Sequence, residues 1–211
     1  MTKQYLLIIF CALFYLPISS QEKVSEEEQA QMVTIIEQRA RSIKSLRCEF
    51  RQEKTLKLMN HSIMSYGKLN YCQPGKLKWE YNKPYMYSFI INNSKVVIKN
   101  DEHTNVIDAT QSKIFKEVTQ IMINSVTGKC LSNKKDFSVE MYKTSDCWIA
   151  YMEPRNKELQ AMFKQIKLYV DVADNIVNKV ELIENNNDVT RIQMQNIQIN
   201  IHIDETVFCD N

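Results

Sequence analysis

The chain has 211 residues, with 27 lysines and arginines against 25 acids, a near balance that excludes a nucleic-acid track built from basic runs. Its three glycines, Gly67, Gly75 and Gly128, lie far apart, which excludes glycine-rich phosphate loops, since those need closely spaced glycines. No repeat, low-complexity stretch or Pro/Gly/Ser-rich joint divides it, so residues 21–211 read as one domain.

Residues 1–20 read as a signal peptide: Lys3 supplies a positive start, residues 5–16 are apolar, and Ser19-Ser20 offers small residues for cleavage before Gln21. Export is the expectation. Ser25-Glu26-Glu27-Glu28 then spells a capping box: Ser25 accepts from the third helical N–H, Glu28 reaches back, and three acids sit at the positive end of the helix dipole. Met32, Ile35, Ile36, Ala40 and Ile43 recur at helical spacing, which predicts one amphipathic helix to about residue 43.

Strands follow. Leu46, Cys48 and Phe50 alternate with Arg47, Glu49 and Arg51. Leu69 and Tyr71, then Leu77, Trp79 and Tyr81, alternate with charged or polar neighbours on either side of Pro74-Gly75, a pair suited to a type II turn. Residues 85–91 and 95–99 read as strands joined by an asparagine turn, and 101–105 as another turn before Val106-Ile107. Over residues 110–125 the period changes to a helical stripe of Ile114, Val118, Ile121 and Met122, a second helix set among strands. Residues 137–141, 148–152, 163–170 and 176–183 read as further strands. In the last stretch Ile192 and Met194 are even-numbered while Ile197, Ile199, Ile201 and Ile203 are odd, which predicts a bulge near Gln195-Asn196. The fold class is α+β: a strongly curved antiparallel sheet of about 10–11 strands, an incomplete β-barrel, with two or three helices covering its concave face.

The stretch from Gly67 to Pro84, with the pattern G-K-L-x-Y-x-x-P-G-K-L-K-W-E-Y-x-x-P, resembles the signature hairpin of the periplasmic lipoprotein carrier family, LolA and its relatives. Leu46 to Gln52 is similar to the family's first strand, and the likeness runs from about residue 25 to 208. It implies a carrier that encloses the acyl chains of lipoproteins in an apolar cavity. The lipoproteins come from an inner-membrane transporter and pass to an outer-membrane acceptor, with a monomer doing the work. The implied lining is Phe50, Leu69, Leu77, Trp79, Phe89, Ile91 and Met122, and the implied lid is Ile114, Val118 and Ile121. On the residues alone, the lining set reads first as ordinary core. The family's carriers place an arginine just before the turn proline, where it pins the lid; Gln73 stands at that latch position here. That departure leaves another lipid, a glycolipid or pigment lipid, open as the alternative cargo.

An enzyme is not the expectation. His61, His103 and His202 are scattered with no partner at metal-ligand spacing, and nothing calls for a metal or other cofactor. A Ser94, His103, Asp101 set has nothing to build an oxyanion hole. Cys48, Cys72, Cys130, Cys147 and Cys209 contain no C-x-x-C pair. Bridges Cys48–Cys72 and Cys130–Cys147 stand against the alternative that all are small buried hydrophobes. A second functional class is a periplasmic adaptor that binds a protein partner by strand addition, with polar residues 193–200 as the sheet edge.

Overall fold

The computed structural model describes residues 21–93, 95–108, 124 and 129–209. The expected signal peptide, and the second helix with its lid residues Ile114, Val118 and Ile121 and with Met122, lie outside the described residues.

Helix α1 spans Glu26–Ser42, with Ser25 as N-cap and Ile43 as C-cap. The Ser25 hydroxyl accepts from the Glu28 amide at 3.2 Å. The capping box is only half made, because Glu28 accepts instead from Lys143 Nζ at 2.8 Å. Met32, Ile36, Ala40 and Ile43 are buried, whereas Ile35, expected in the same stripe, is exposed. It stands one step off the face that meets the sheet.

Among the described residues twelve strands, rather than the expected 10–11, make one open, curved antiparallel sheet: β1 Glu22–Lys23, β2 Ser45–Leu56, β3 His61–Cys72, β4 Lys76–Lys83, β5 Tyr87–Asn92, β6 Lys95–Asn100, β7 Thr104–Asp108, β8 Phe137–Lys143, β9 Cys147–Pro154, β10 Phe163–Asp171, β11 Val177–Glu184 and β12 Val189–Ile199. A short helix α2, Lys157–Met162, joins β9 to β10. The spatial order is β1-β8-β9-β10-β11-β12-β2-β3-β4-β5-β6-β7. Two runs of consecutive hairpins, β2 to β7 and β8 to β12, thus meet along the β12–β2 pair. The sheet's edges are β1 and β7, so residues 193–200 are no edge: β12 lies inside the sheet between β11 and β2.

The expected break in β12 is present. Its register against β2 shifts between Gln195 and Gln198, and Asn196 takes a left-handed φ of 54°. Asparagine fills this role throughout: Asn60, Asn93, Asn175, Asn187, Asn196 and Asn200 are the non-glycine residues with positive φ among those described. A short side chain that hydrogen-bonds its own backbone tolerates that region best after glycine, and glycine is scarce here.

The turn after β3 is not the expected type II. Gln73–Pro74 is cis, and Gly75 does not take the left-handed φ that such a turn demands.

One face of the sheet carries the main apolar cluster and receives α1. The opposite face is charged, except where the chain's end covers it. There Ile203 and Phe208 pack on Ile90 and Val97, beside Cys72. Among the described residues no two cysteines are bridged. Cys48 belongs to the main cluster and Cys72 to the reverse-face one, so the two point to opposite sides of the sheet and cannot pair.

Candidate functional site

Antiparallel register stacks the apolar face into rows across β2 to β7. Leu46, Tyr71, Leu77, Ile91, Val96 and Ile107 form one row, each paired with the next. Cys48, Leu69, Trp79, Phe89 and Ile98 form the second. Phe50, Gly67, Tyr81 and Tyr87 form the third.

The third row depends on its glycine. A Cβ on Gly67 would lie 2.0 Å from the Glu80 carbonyl oxygen and 2.5 Å from the Phe50 ring. The missing side chain lets Phe50 lie over β3 and reach Trp79, at 4.8 Å between ring centroids, and Tyr81, edge-on at 5.1 Å. Tyr81 continues the series to Tyr87 at 6.1 Å and donates its hydroxyl to Gln52 Oε1 at 2.9 Å.

Six of the expected lining residues are therefore brought together on one face. Phe50, Leu69, Leu77, Trp79 and Ile91 are buried in the cluster, and Phe89 packs against it, partly buried. Two buried polar atoms on this face, Tyr71 Oη and Trp79 Nε1, meet no partner in full hydrogen-bond geometry among the described residues, with Gln73 and Tyr81 as their polar neighbours. Burial pushes the Tyr71 phenol up, with the neighbouring Cys72 adding to the rise and Gln73 partly offsetting it. Buried donors left unmet are uncommon in a finished core.

The described residues also line an open-sided cavity of about 540 Å³ between α1, β1, β8 and the turn around Leu131. Val24, Val33, Leu131, Phe137 and Val139 give its apolar walls, while Lys134, Glu140 and Arg155 stand among its polar ones. The apolar walls belong to, or pack on, the same main cluster. Gln29 fixes its roof by donating to the Val139 carbonyl at 2.9 Å and accepting from the Met141 amide at 3.1 Å. None of the expected lining residues borders this space. Phe137 and Val139 were legible as strand residues, but their meeting with α1 is a long-range fact with no local pattern.

Gln73, at the latch position, binds helix α1. Its Nε2 donates to the Ile43 carbonyl at 2.7 Å, and its amide donates to the Lys44 carbonyl at 2.8 Å. The β3–β4 turn thereby closes the C-terminal end of α1 and the entry to β2.

On the charged face, Glu181 accepts from Tyr169 Oη at 3.0 Å and pairs with Lys179 at 2.9 Å and Arg191 at 3.6 Å. Burial alone would raise its carboxyl pKa, but Lys179, Tyr169 and Arg191 outweigh burial and hold it below the usual value. Asp101 and His103 lie exposed at the β6–β7 turn, and Ser94 is outside the described residues. No group of metal-binding side chains occurs among the described residues.

The family model described as "Outer membrane lipoprotein carrier protein LolA" matches residues 41–209. No curated protein matches the chain by sequence. Among solved structures, MucB is similar at TM-score 0.55 and 10% identity, over 89% of this chain and 64% of that one. The MucA/MucB complex of Pseudomonas aeruginosa is similar at TM-score 0.53 and 10% identity, over 87% and 61%. An uncharacterized conserved protein from Thermus thermophilus is similar at TM-score 0.50 and 8% identity, over 86% and 91%. The chain spans about three fifths of the length of the MucA/MucB match.

Proposed function

Because the chain belongs to the outer membrane lipoprotein carrier protein LolA family, we propose that it is a non-catalytic periplasmic carrier that encloses acyl chains against the apolar face of its sheet. The carrying observation is that face itself, where antiparallel register brings Phe50, Leu69, Leu77, Trp79, Phe89 and Ile91 into adjacent apolar rows. Each methylene buried is worth roughly 0.8 kcal/mol, so a lipid's chains stay out of water only inside a comparable enclosure.

Phe50, Leu69, Leu77, Trp79, Phe89 and Ile91 are the proposed lining, and the cavity of about 540 Å³ beside α1 is the proposed room for a chain end. Met122 and the lid residues Ile114, Val118 and Ile121 are proposed to cover it, and Gln73 is the proposed latch through its hold on the end of α1. The proposed cargo is an acylated lipoprotein, received from an inner-membrane transporter and given to an outer-membrane acceptor. A free glycolipid or pigment lipid is the alternative cargo.

The test is native mass spectrometry of the protein from a periplasmic fraction, followed by organic extraction of what is bound. Co-purified lipoprotein supports the shuttle, and a free lipid supports the alternative cargo. A Val33→Trp variant, which fills the cavity beside α1 without touching the sheet rows, is expected to carry less. An empty protein that also refuses hydrophobic probes defeats the carrier reading.

The likeness to MucB, solved in complex with MucA, favours a second reading as a partner-binding adaptor. Strand addition would then use β7 or β1, the sheet's actual edges. An adaptor has a filled core and takes up no probe.

A further inference from the structure

We infer that one end of the sheet docks on a membrane surface, inserting the tip of the β2–β3 hairpin among lipid chains. The β2–β3 ladder runs out to Leu56 opposite His61, but the β3–β4 ladder stops at Tyr66 opposite Lys83. Residues 61–65 therefore have no β4 partner, an overhang of about 17 Å at the rise of an antiparallel strand. At its tip Leu58 is 93% exposed and Met59 70%. The next turn at the same end of the sheet, between β4 and β5, presents Tyr85 at 81% and Met86 at 59%.

These side chains break ordinary turn chemistry. Turns favour Gly, Pro, Asn, Asp and Ser, and the sheet's other turns obey, with Gln73-Pro74-Gly75, Asn93 and Thr144-Ser145-Asp146 at the opposite end and Asn100-Asp101 and Asn185-Asn186-Asn187 at the same end. The projecting tip is nevertheless held in shape. The Lys57 amide donates to Asp188 Oδ1 at 2.8 Å, the Met59 amide donates to the Leu56 carbonyl at 3.2 Å, and Thr55 and Ser62 hydroxyls meet at 3.2 Å.

A fluid lipid surface suits this shape better than a folded partner. A narrow apolar tip needs no matching pocket in acyl chains, whereas a protein partner would need one some distance from the Tyr85-Met86 turn. Lys57 and Lys83 flank the two turns, which hold no acid themselves, while Glu184, Asp188, Asp101 and Glu102 stand in the neighbouring turns at the same end. That pattern, apolar and aromatic side chains edged by lysine, matches an interface with anionic headgroups.

The inference concerns where the protein sits and not what it holds, so its test needs no cargo. The protein purified from a periplasmic fraction is floated with vesicles of phosphatidylethanolamine and phosphatidylglycerol, and separately with phosphatidylcholine vesicles. The wild type is expected to float with the anionic vesicles, less so at high salt. Leu58→Ser/Met59→Ser is expected to lower the bound fraction at least about tenfold, as loss of buried apolar side chains from a membrane interface does. Lys57→Ala/Lys83→Ala is expected to weaken binding to anionic vesicles alone. A Leu58→Trp variant, with its added indole, is expected to show a blue-shifted emission on vesicle addition.

Wild type that stays unbound to both vesicles overturns the inference, and binding only to a membrane-protein partner would then point to a protein dock. Flotation unchanged in the Leu58→Ser/Met59→Ser variant overturns it equally. Uptake of a hydrophobic probe is measured in parallel. A variant that loses vesicles but keeps the probe upholds docking, whereas a wild type that floats but takes no probe defeats the carrier reading alone.

Discussion

Gly67→Ala is the most informative single substitution on the proposed binding face. The new methyl would meet the Glu80 carbonyl oxygen at 2.0 Å and the Phe50 ring at 2.5 Å. The ring can swing away, but the carbonyl belongs to the β3–β4 ladder and can retreat only if the strands part. Overpacking of this kind costs about 1–3 kcal/mol. Displacing Phe50 also breaks its packing on Trp79 and Tyr81, at roughly 0.5–1.5 kcal/mol for each aromatic pair. A total near 3 kcal/mol is expected, a fall in Tm of about 6–12 °C for a domain of this size. Thermal and urea unfolding give the stability, and near-ultraviolet circular dichroism reports the Phe50–Trp79 contact. The double variant Gly67→Ala/Phe50→Leu separates the two clashes. Full recovery of stability there would mean that only the ring is in the way, and a loss below about 0.5 kcal/mol in the single variant would refute the close approach altogether.

Gln73→Ala removes the side-chain bond to the Ile43 carbonyl and is expected to cost about 1 kcal/mol, with faster amide exchange in the last turn of α1. Glu181 has a lowered carboxyl pKa in the fold, so its contribution is complete above the usual glutamate value of about 4.3 and is lost as pH falls through the folded one. Glu181→Gln should therefore be less stable than wild type at neutral pH and lose less on acidification, as urea titrations across pH will show. Burial raises the Cys48 thiol to about 12, whereas Cys209 is exposed. At pH 8 iodoacetamide is expected to modify Cys209 first and Cys48 only on unfolding, as peptide mass mapping would reveal. Rapid alkylation of Cys48 in the native protein would contradict its place in the core.

Much of this was legible because it is local. The bounds of α1, the alternation in β2 to β5 and the asparagine turn between β5 and β6 follow from spacing and backbone preference within a few residues. The change of face after Met194 required a bulge, and Asn196 supplies it. Long-range features escaped. The two-residue β1 exists only because β8 offers it an edge, and Glu28 left its capping box for Lys143, more than a hundred residues away. The polar composition of residues 193–200 suggested an edge, but the charged outer face of an interior strand has the same composition. Gln73 was legible as a position, while its partner at the end of α1 was not. The cavity beside α1 was missed because its walls come from segments that alternate or coil in ordinary ways by themselves.

The β12–β2 seam has a consequence for how the chain reaches its fold. It joins Leu46 to Ile199 and Thr55 to Val189, strands from opposite ends of the sequence, whereas most other neighbours in the sheet are consecutive hairpins. Hairpins form in about 1–10 μs, but closing a contact of this span is slow and sets the pace of folding. Ribosomal synthesis finishes β12 last, so the β2 to β7 half waits with Ser45–Leu56, one of its two twelve-residue strands, as a bare edge. An unpaired, twelve-residue edge with an apolar face is a template for pairing with another chain. Newly made protein is accordingly most vulnerable to aggregation before its final strand arrives, and most dependent then on being kept unfolded or held apart from its own copies.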